Sequence, residues 1–113
     1  MIQVSMNWED MTLVVDGHAK YDEKGKDIVC AAVSALAQAL LFRLEEDQQR
    51  GRMMMWYKRD EEKGYLRIKA QPNSGYREPT RAYFKLVMTG IKKIEEQYPD
   101  YVKIGEVWTH GNL

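Results

Sequence analysis

Between Val29 and Leu44 the apolar residues Val29, Val33, Leu36, Leu40 and Leu44, joined by Ala32, Ala37 and Leu41, recur every three or four positions. That spacing lays one broad apolar face along a helix, and the rest of the chain must supply something to cover it. Asp27 stands just before the run as an N-cap, and Gly51 is a natural stop. Glu45, Glu46 and Asp47, near the end, oppose the helix dipole and are expected in solvent. The longest apolar stretch, residues 28–42, is interrupted by Ser34 and Gln38. It is shorter than the roughly 20 residues that span a bilayer, so a core helix is expected and no membrane partner.

The flanking segments read as the cover. Ile2, Val4 and Met6 alternate with Gln3 and Ser5, the period of a half-buried strand, and a polar turn over residues 7–10 leads to a second strand over 11–15. Continuing that pleat puts His18 on the side of Thr12, Val14 and Asp16. Residues 53–57 and 65–69 flank a charged turn ending at Gly64, which predicts a second hairpin. A second helix is expected from near Pro79 to Pro99, with Tyr83, Leu86, Val87, Ile91 and Ile94 as its buried stripe. Val102, Ile104 and Val107-Trp108 form a last strand. The order ββαββαβ predicts an α+β fold: a single layer of mostly antiparallel sheet packed by two helices. The 113 residues, 44% of them hydrophobic, fit a single domain over residues 1–113.

Charge and cysteine usage narrow the function. Seventeen basic and 17 acidic residues cancel, leaving no global field for a nucleic-acid backbone, although a local patch is compatible with that balance. No direct nucleic-acid binding is therefore expected. The single cysteine rules out an internal disulfide, and no secretory leader pattern opens the chain, so a cytoplasmic location is expected.

Cys30 is the chemically distinctive residue. With Asp27 as N-cap it falls in the first helical turn, where free amides and the helix dipole favour a thiolate. Free cysteines are also among the most buried residues, so a structural thiol is the competing reading. His18, at a strand end with Gly17 beside it, is the candidate base; a flexible loop and a helix start can bring imidazole and sulfur together. His110, in a terminal segment, reads as an exposed tail residue. Asp16 or Asp27 could orient the imidazole; the plainer readings are a solvated strand-end acid for Asp16 and, favoured, a helix cap for Asp27. Ser34, one turn after Cys30, could hydrogen-bond near the sulfur or back to its own helix. Two histidines and one cysteine lack the close spacing of a zinc motif, so no metal is expected.

Three blocks then resemble a known family: Gly17-His18-Ala19, the run from Asp27 to Ser34 (DIVCAAVS), and Ile94 to Tyr101 (IEEQYPDY). In this order they are similar to the ribosomal-processing cysteine proteases called Prp. The resemblance implies a bacterial or phage endopeptidase and a homodimer. It would remove an amino-terminal extension from a large-subunit ribosomal protein, cutting after an aromatic pair and before a small residue; phage relatives would process capsid or scaffold proteins. Carried over by motif, Cys30 is the nucleophile and His18 the general base, no cofactor is needed, and Gly17 and Ala19 keep the cleft wall low. Lys20, Tyr21, Asp22, Glu23, Lys24, Gly25 and Lys26 match a mobile loop that covers the substrate. Acyl transfer would proceed with helix-start amides stabilising the oxyanion. The alternatives are a non-catalytic ribosome- or capsid-associated binding module with the same fold and, last, a redox sensor, which would lack a resolving thiol.

Overall fold

Two helices pack on one face of a five-stranded sheet in the computed structural model, which describes residues 1–23 and 26–108, the last three by backbone alone. The elements are β1 (Ile2–Asn7), β2 (Thr12–Asp16), α1 (Ile28–Gln49), β3 (Met53–Asp60), β4 (Tyr65–Pro72), α2 (Arg77–Gln97) and β5 (Val102–Trp108). Strands lie in the order β3-β4-β2-β1-β5, and only β1 and β5 run parallel. The expected ββαββαβ, α+β architecture is the one found. Lys24, Gly25 and the tail carrying His110 lie outside the described residues.

Alternation along the strands explains the layer. Ile2, Val4, Met6, Leu13, Val15, Met53, Met55, Ile68, Ala70 and Val102 all turn to the helix side and are buried. Val29, Val33, Ala37, Leu40, Leu41 and Leu44 of α1 pack onto them, the apolar stripe read from the sequence. By length and composition alone the 22-residue α1 could cross a membrane, being longer than its apolar run. In this fold its apolar side is instead the protein core.

Four local expectations change. The buried stripe of α2 is Thr80, Phe84, Val87 and Ile91, while Leu86 is 73% exposed and Tyr83 and Ile94 are only half-buried. Phe84, 0% exposed, wins the core position because its larger ring removes more apolar area from water, and it turns the stripe away from Leu86. The helix also starts before Pro79, at Arg77. The second hairpin is longer at both ends than its apolar runs. Asp47 is not solvated: it is 3% exposed and its Oδ1 accepts bonds from Arg43 Nη2 at 2.8 Å and Arg52 Nη1 at 3.2 Å. Two guanidinium groups replace the water that a buried carboxylate would otherwise lose.

Candidate active site

The site begins where the pleat of β2 ends. Gly17 has φ +103°, and a Cβ there would sit 2.7 Å from the Met1 carbonyl oxygen. Only glycine fits this turn, and it swings the next residue out of the strand register. His18 therefore does not stay with Thr12, Val14 and Asp16 on the far face; it lines a cleft on the helix side with Val15 and Val33.

The tip of the β3–β4 hairpin holds the ring. Gly17 N–H donates to Gly64 O at 3.0 Å, and His18 Nε2 lies 3.0 Å from the Glu62 carbonyl oxygen. A carbonyl can only accept, so Nε2 carries a proton and a neutral imidazole keeps its lone pair on Nδ1. Gly64, at φ +70°, makes this approach possible: a Cβ would stand 2.6 Å from Gly17 O and 2.9 Å from His18 Cε1.

Cys30 arrives from the other direction on α1. Asp27, in extended conformation, caps the helix as expected, its Oδ1 accepting from Val29 N–H at 3.0 Å and Cys30 N–H at 2.9 Å. Its Oδ2 accepts from Tyr21 N–H at 3.0 Å. The sulfur accepts from Ala19 N–H at 3.2 Å, so the residue after His18 touches the thiol directly. Lys20, in left-handed backbone at φ +59°, turns a second amide toward it.

The electrostatics overturn the expectation of a helix-start thiolate. Burial pushes the Cys30 thiol up from its ordinary value; the Ala19 and Lys20 amides pull it down, but the Asp27 carboxylate adds to the rise. Burial is the larger cause; beyond it, Asp27 engages the Val29 and Cys30 amides and places a negative charge beside the sulfur. For Asp27, burial would raise the carboxyl, yet amide bonds, Cys30 and Tyr21 foremost, hold it below its ordinary range. The helix-start donors expected for an oxyanion are also engaged: Val29 and Cys30 N–H by the Asp27 carboxylate, and Ala31 N–H by the Asp27 carbonyl of the helix ladder.

Cys30 and His18 line one cleft of 270 Å³. Its walls are Cys30, Val33, Ser34, Ala37 and Gln38 of α1, Ile2, Val15, Gly17 and His18 of the first hairpin, and Arg59, Asp60, Glu61, Gly64, Tyr65 and Leu66 of the second. Ser34 lies on this wall with its Oγ accepting from Gln38 Nε2 at 2.8 Å, and no bond joins it to Cys30. The contribution of the β3–β4 hairpin was missed in the sequence; the charged turn closing on Gly64 was its one visible sign. Of the expected covering loop, Lys20, Tyr21, Asp22, Glu23 and Lys26 are described and none lines the cleft. Tyr21 instead packs edge-on against Tyr98 and Tyr101, at 5.5 and 5.2 Å between centroids. Among the described residues no group of three or more His, Cys, Asp or Glu side chains converges as a metal site.

A half-buried cysteine at a helix start and a histidine oriented by a neighbouring carbonyl, on one open cleft, have the makings of a thiol hydrolase built on a small α+β layer. The family model described as cysteine protease Prp matches residues 1–103. The chain is 29% identical over 110 residues, 93% of each chain, to the ribosomal processing cysteine protease Prp of Mycoplasma genitalium. Its fold superposes with a TM-score of 0.71 on S. aureus Prp in complex with a covalently linked product peptide, at 20% identity over 92% of this chain and 95% of that one. The score is also 0.71 for SMU.848 from Streptococcus mutans, at 27% identity over 96% and 95%. The chain belongs to the Prp family and is a cysteine protease.

Proposed function

We propose that this protease removes an amino-terminal extension from a large-subunit ribosomal protein, with Cys30 as nucleophile and His18 as general base. The observation that carries the reading is that thiol and imidazole line the same cleft, joined through the Ala19 amide on the sulfur. The Mycoplasma genitalium relative, named for ribosomal processing, supports the substrate class.

Burial and Asp27 keep the resting nucleophile a thiol. His18, its Nε2 proton engaged by Glu62 O, takes the thiol proton on Nδ1 as the sulfur attacks the scissile carbonyl. The carbon–sulfur bond forms while the carbonyl π bond opens onto oxygen. Collapse of that oxyanion breaks the carbon–nitrogen bond, and the imidazolium returns the proton to the departing amine. Water, deprotonated by the same imidazole, then attacks the thioester carbonyl; the carbon–sulfur bond breaks, the imidazolium returns its proton to the sulfur, and the carboxylic acid product leaves. The Ala19 and Lys20 amides, already aimed at the sulfur, are the donors that meet the oxyanion. Ile2, Val15, Val33, Ala37 and Leu66 give the cleft an apolar side for the aromatic residues preceding the cut. Asp27 fixes the helix start and Ser34 borders the substrate path.

The loop from Lys20 to Lys26 closes over the bound peptide from its Tyr21 anchor. The enzyme works in the cytoplasm as a homodimer, whose interface would cover Ile28 and Phe42, each 55% exposed on the outer side of α1. The test is cleavage of a peptide carrying the ribosomal extension, followed by mass spectrometry. Cys30→Ala should abolish cutting and His18→Ala should slow it about 10²- to 10⁴-fold. Cutting by Cys30→Ala at the wild-type rate would refute the assignment.

A further inference from the structure

We propose that the sheet face turned away from the helices binds single-stranded RNA. Both helices cover the same side, so this face is open, and its charges are segregated although the chain as a whole is neutral. Lys58 and Arg67 are direct cross-strand partners, and Lys69, the partner of Trp56, lies one step along the same face. Like charges set directly opposite each other destabilise a sheet, so folding alone gives no reason for this pairing. Among the described residues no carboxylate lies within ion-pair distance of Lys58, Arg67 or Lys69. Among the described residues the acids of this face, Asp16 and Asp60, both sit in the row of Tyr65, at one edge of the patch.

Trp56 supplies the second half of the chemistry. It is 46% exposed, and whereas Trp8, Tyr76 and Tyr83 each carry an arginine, among the described residues no cation covers its ring. An uncovered indole on a flat sheet beside three unpaired cations suits a base stacked on the ring with its phosphates on the lysines and arginine. An acidic peptide would use the cations and leave the ring idle. Balanced composition argued against nucleic acid only for the whole chain; the patch is local. The choice of RNA over DNA rests on the ribosomal substrate proposed above.

The test is fluorescence anisotropy of a labelled single-stranded RNA of about 12 nucleotides, titrated with the full chain at several salt concentrations, with peptide cleavage measured on the same samples. Three phosphate contacts predict a slope of log K against log salt of about −2, and Lys58→Ala, Arg67→Ala or Lys69→Ala should each flatten it by about 0.7. Trp56→Ala should weaken binding about 5- to 100-fold with the slope unchanged. All four variants should cut peptide at the wild-type rate, and Lys58→Ala should melt no lower than wild type. Absent binding in a preparation that cuts peptide, or binding indifferent to the four substitutions, overturns the inference. So does equal binding of DNA of the same sequence, or displacement by polyglutamate at equal charge. RNA binding without cleavage of the ribosomal peptide would instead sustain the site and sink the proposed function.

Discussion

Replacing Gly64 by alanine should damage catalysis more than stability, and Gly51 provides the control. Both have left-handed backbone, at φ +70° and +74°. A Cβ at Gly51 meets nothing within 4 Å, whereas one at Gly64 would lie 2.6 Å from Gly17 O and 2.9 Å from His18 Cε1. Gly51→Ala therefore carries the conformational cost alone, about 1–2 kcal/mol. Gly64→Ala carries the same cost and must also separate the two hairpins, weakening the 3.0 Å bond from Gly17 N–H to Gly64 O, which adds about 0.5–1.5 kcal/mol. At about 4 °C per kcal/mol for a domain of this size, melting should fall about 4–8 °C for the first and about 6–14 °C for the second. The same displacement pushes the imidazole from its Glu62 carbonyl, so kcat/KM of Gly64→Ala, measured well below its melting temperature, should fall at least about 10-fold, a part of the 10²–10⁴ that general-base catalysis supplies. Gly51→Ala should cut peptide like wild type. Equal melting losses with equal cleavage rates would refute the view that the hairpin tip aligns His18.

Asp27→Asn keeps acceptor oxygen at the helix cap but deletes the charge beside the sulfur, so iodoacetamide labelling of Cys30 should titrate at lower pH than in wild type; an unmoved profile would remove the carboxylate from the account. The native thiol holds its proton more tightly than an unfolded one, whose ordinary value is 9.0. That contribution to stability is complete below pH 9 and is lost as pH rises through the raised native value. Denaturant titrations of wild type should accordingly lose ground to Cys30→Ala above pH 9, and parallel curves would contradict this. On α2, Phe84→Ala should cost about 3–5 kcal/mol, while Leu86→Ala should change stability by less than about 0.5 kcal/mol; similar losses would restore the stripe expected from spacing.

Long-period patterns were legible in the chain because they are local. The stripe from Val29 to Leu44 located α1, the alternation of Ile2, Val4 and Met6 located β1, and Asp27 capped where its type and position demand. The stripe of α2 was harder, since Tyr83, Leu86 and Phe84 all offer apolar surface and only the depth of the sheet beneath decides among them. Asp47 escaped for a similar reason: Arg52, which helps bury it, comes from beyond the helix end. Cys30 and His18 were visible as residue types beside a strand end and a helix start. The approach of Glu62 O and Gly64 to the ring was not, because Gly64 was legible only as a turn residue and main-chain groups from a distant hairpin carry no signature of what they touch. The acidity of Cys30 was misjudged because burial, which disfavours the thiolate, depends on the packed fold, and because the cap had already engaged the helix-start amides.

One carboxylate ties two separate segments of the chain together beside the nucleophile. Asp27 fastens the first turn of α1 through one oxygen and the Tyr21 amide through the other, while its charge falls on the sulfur. A segment that leaves Tyr21 N–H free also leaves that oxygen bare, and a bare oxygen presses its negative field harder on Cys30. The thiol is thus harder to ionise when the segment is away and easier when it is seated. With the cleft open, Tyr21 N–H is seated on Asp27, so the bond that holds this segment also tempers the field on the nucleophile, and thiol reactivity toward an electrophile reports whether that bond is made.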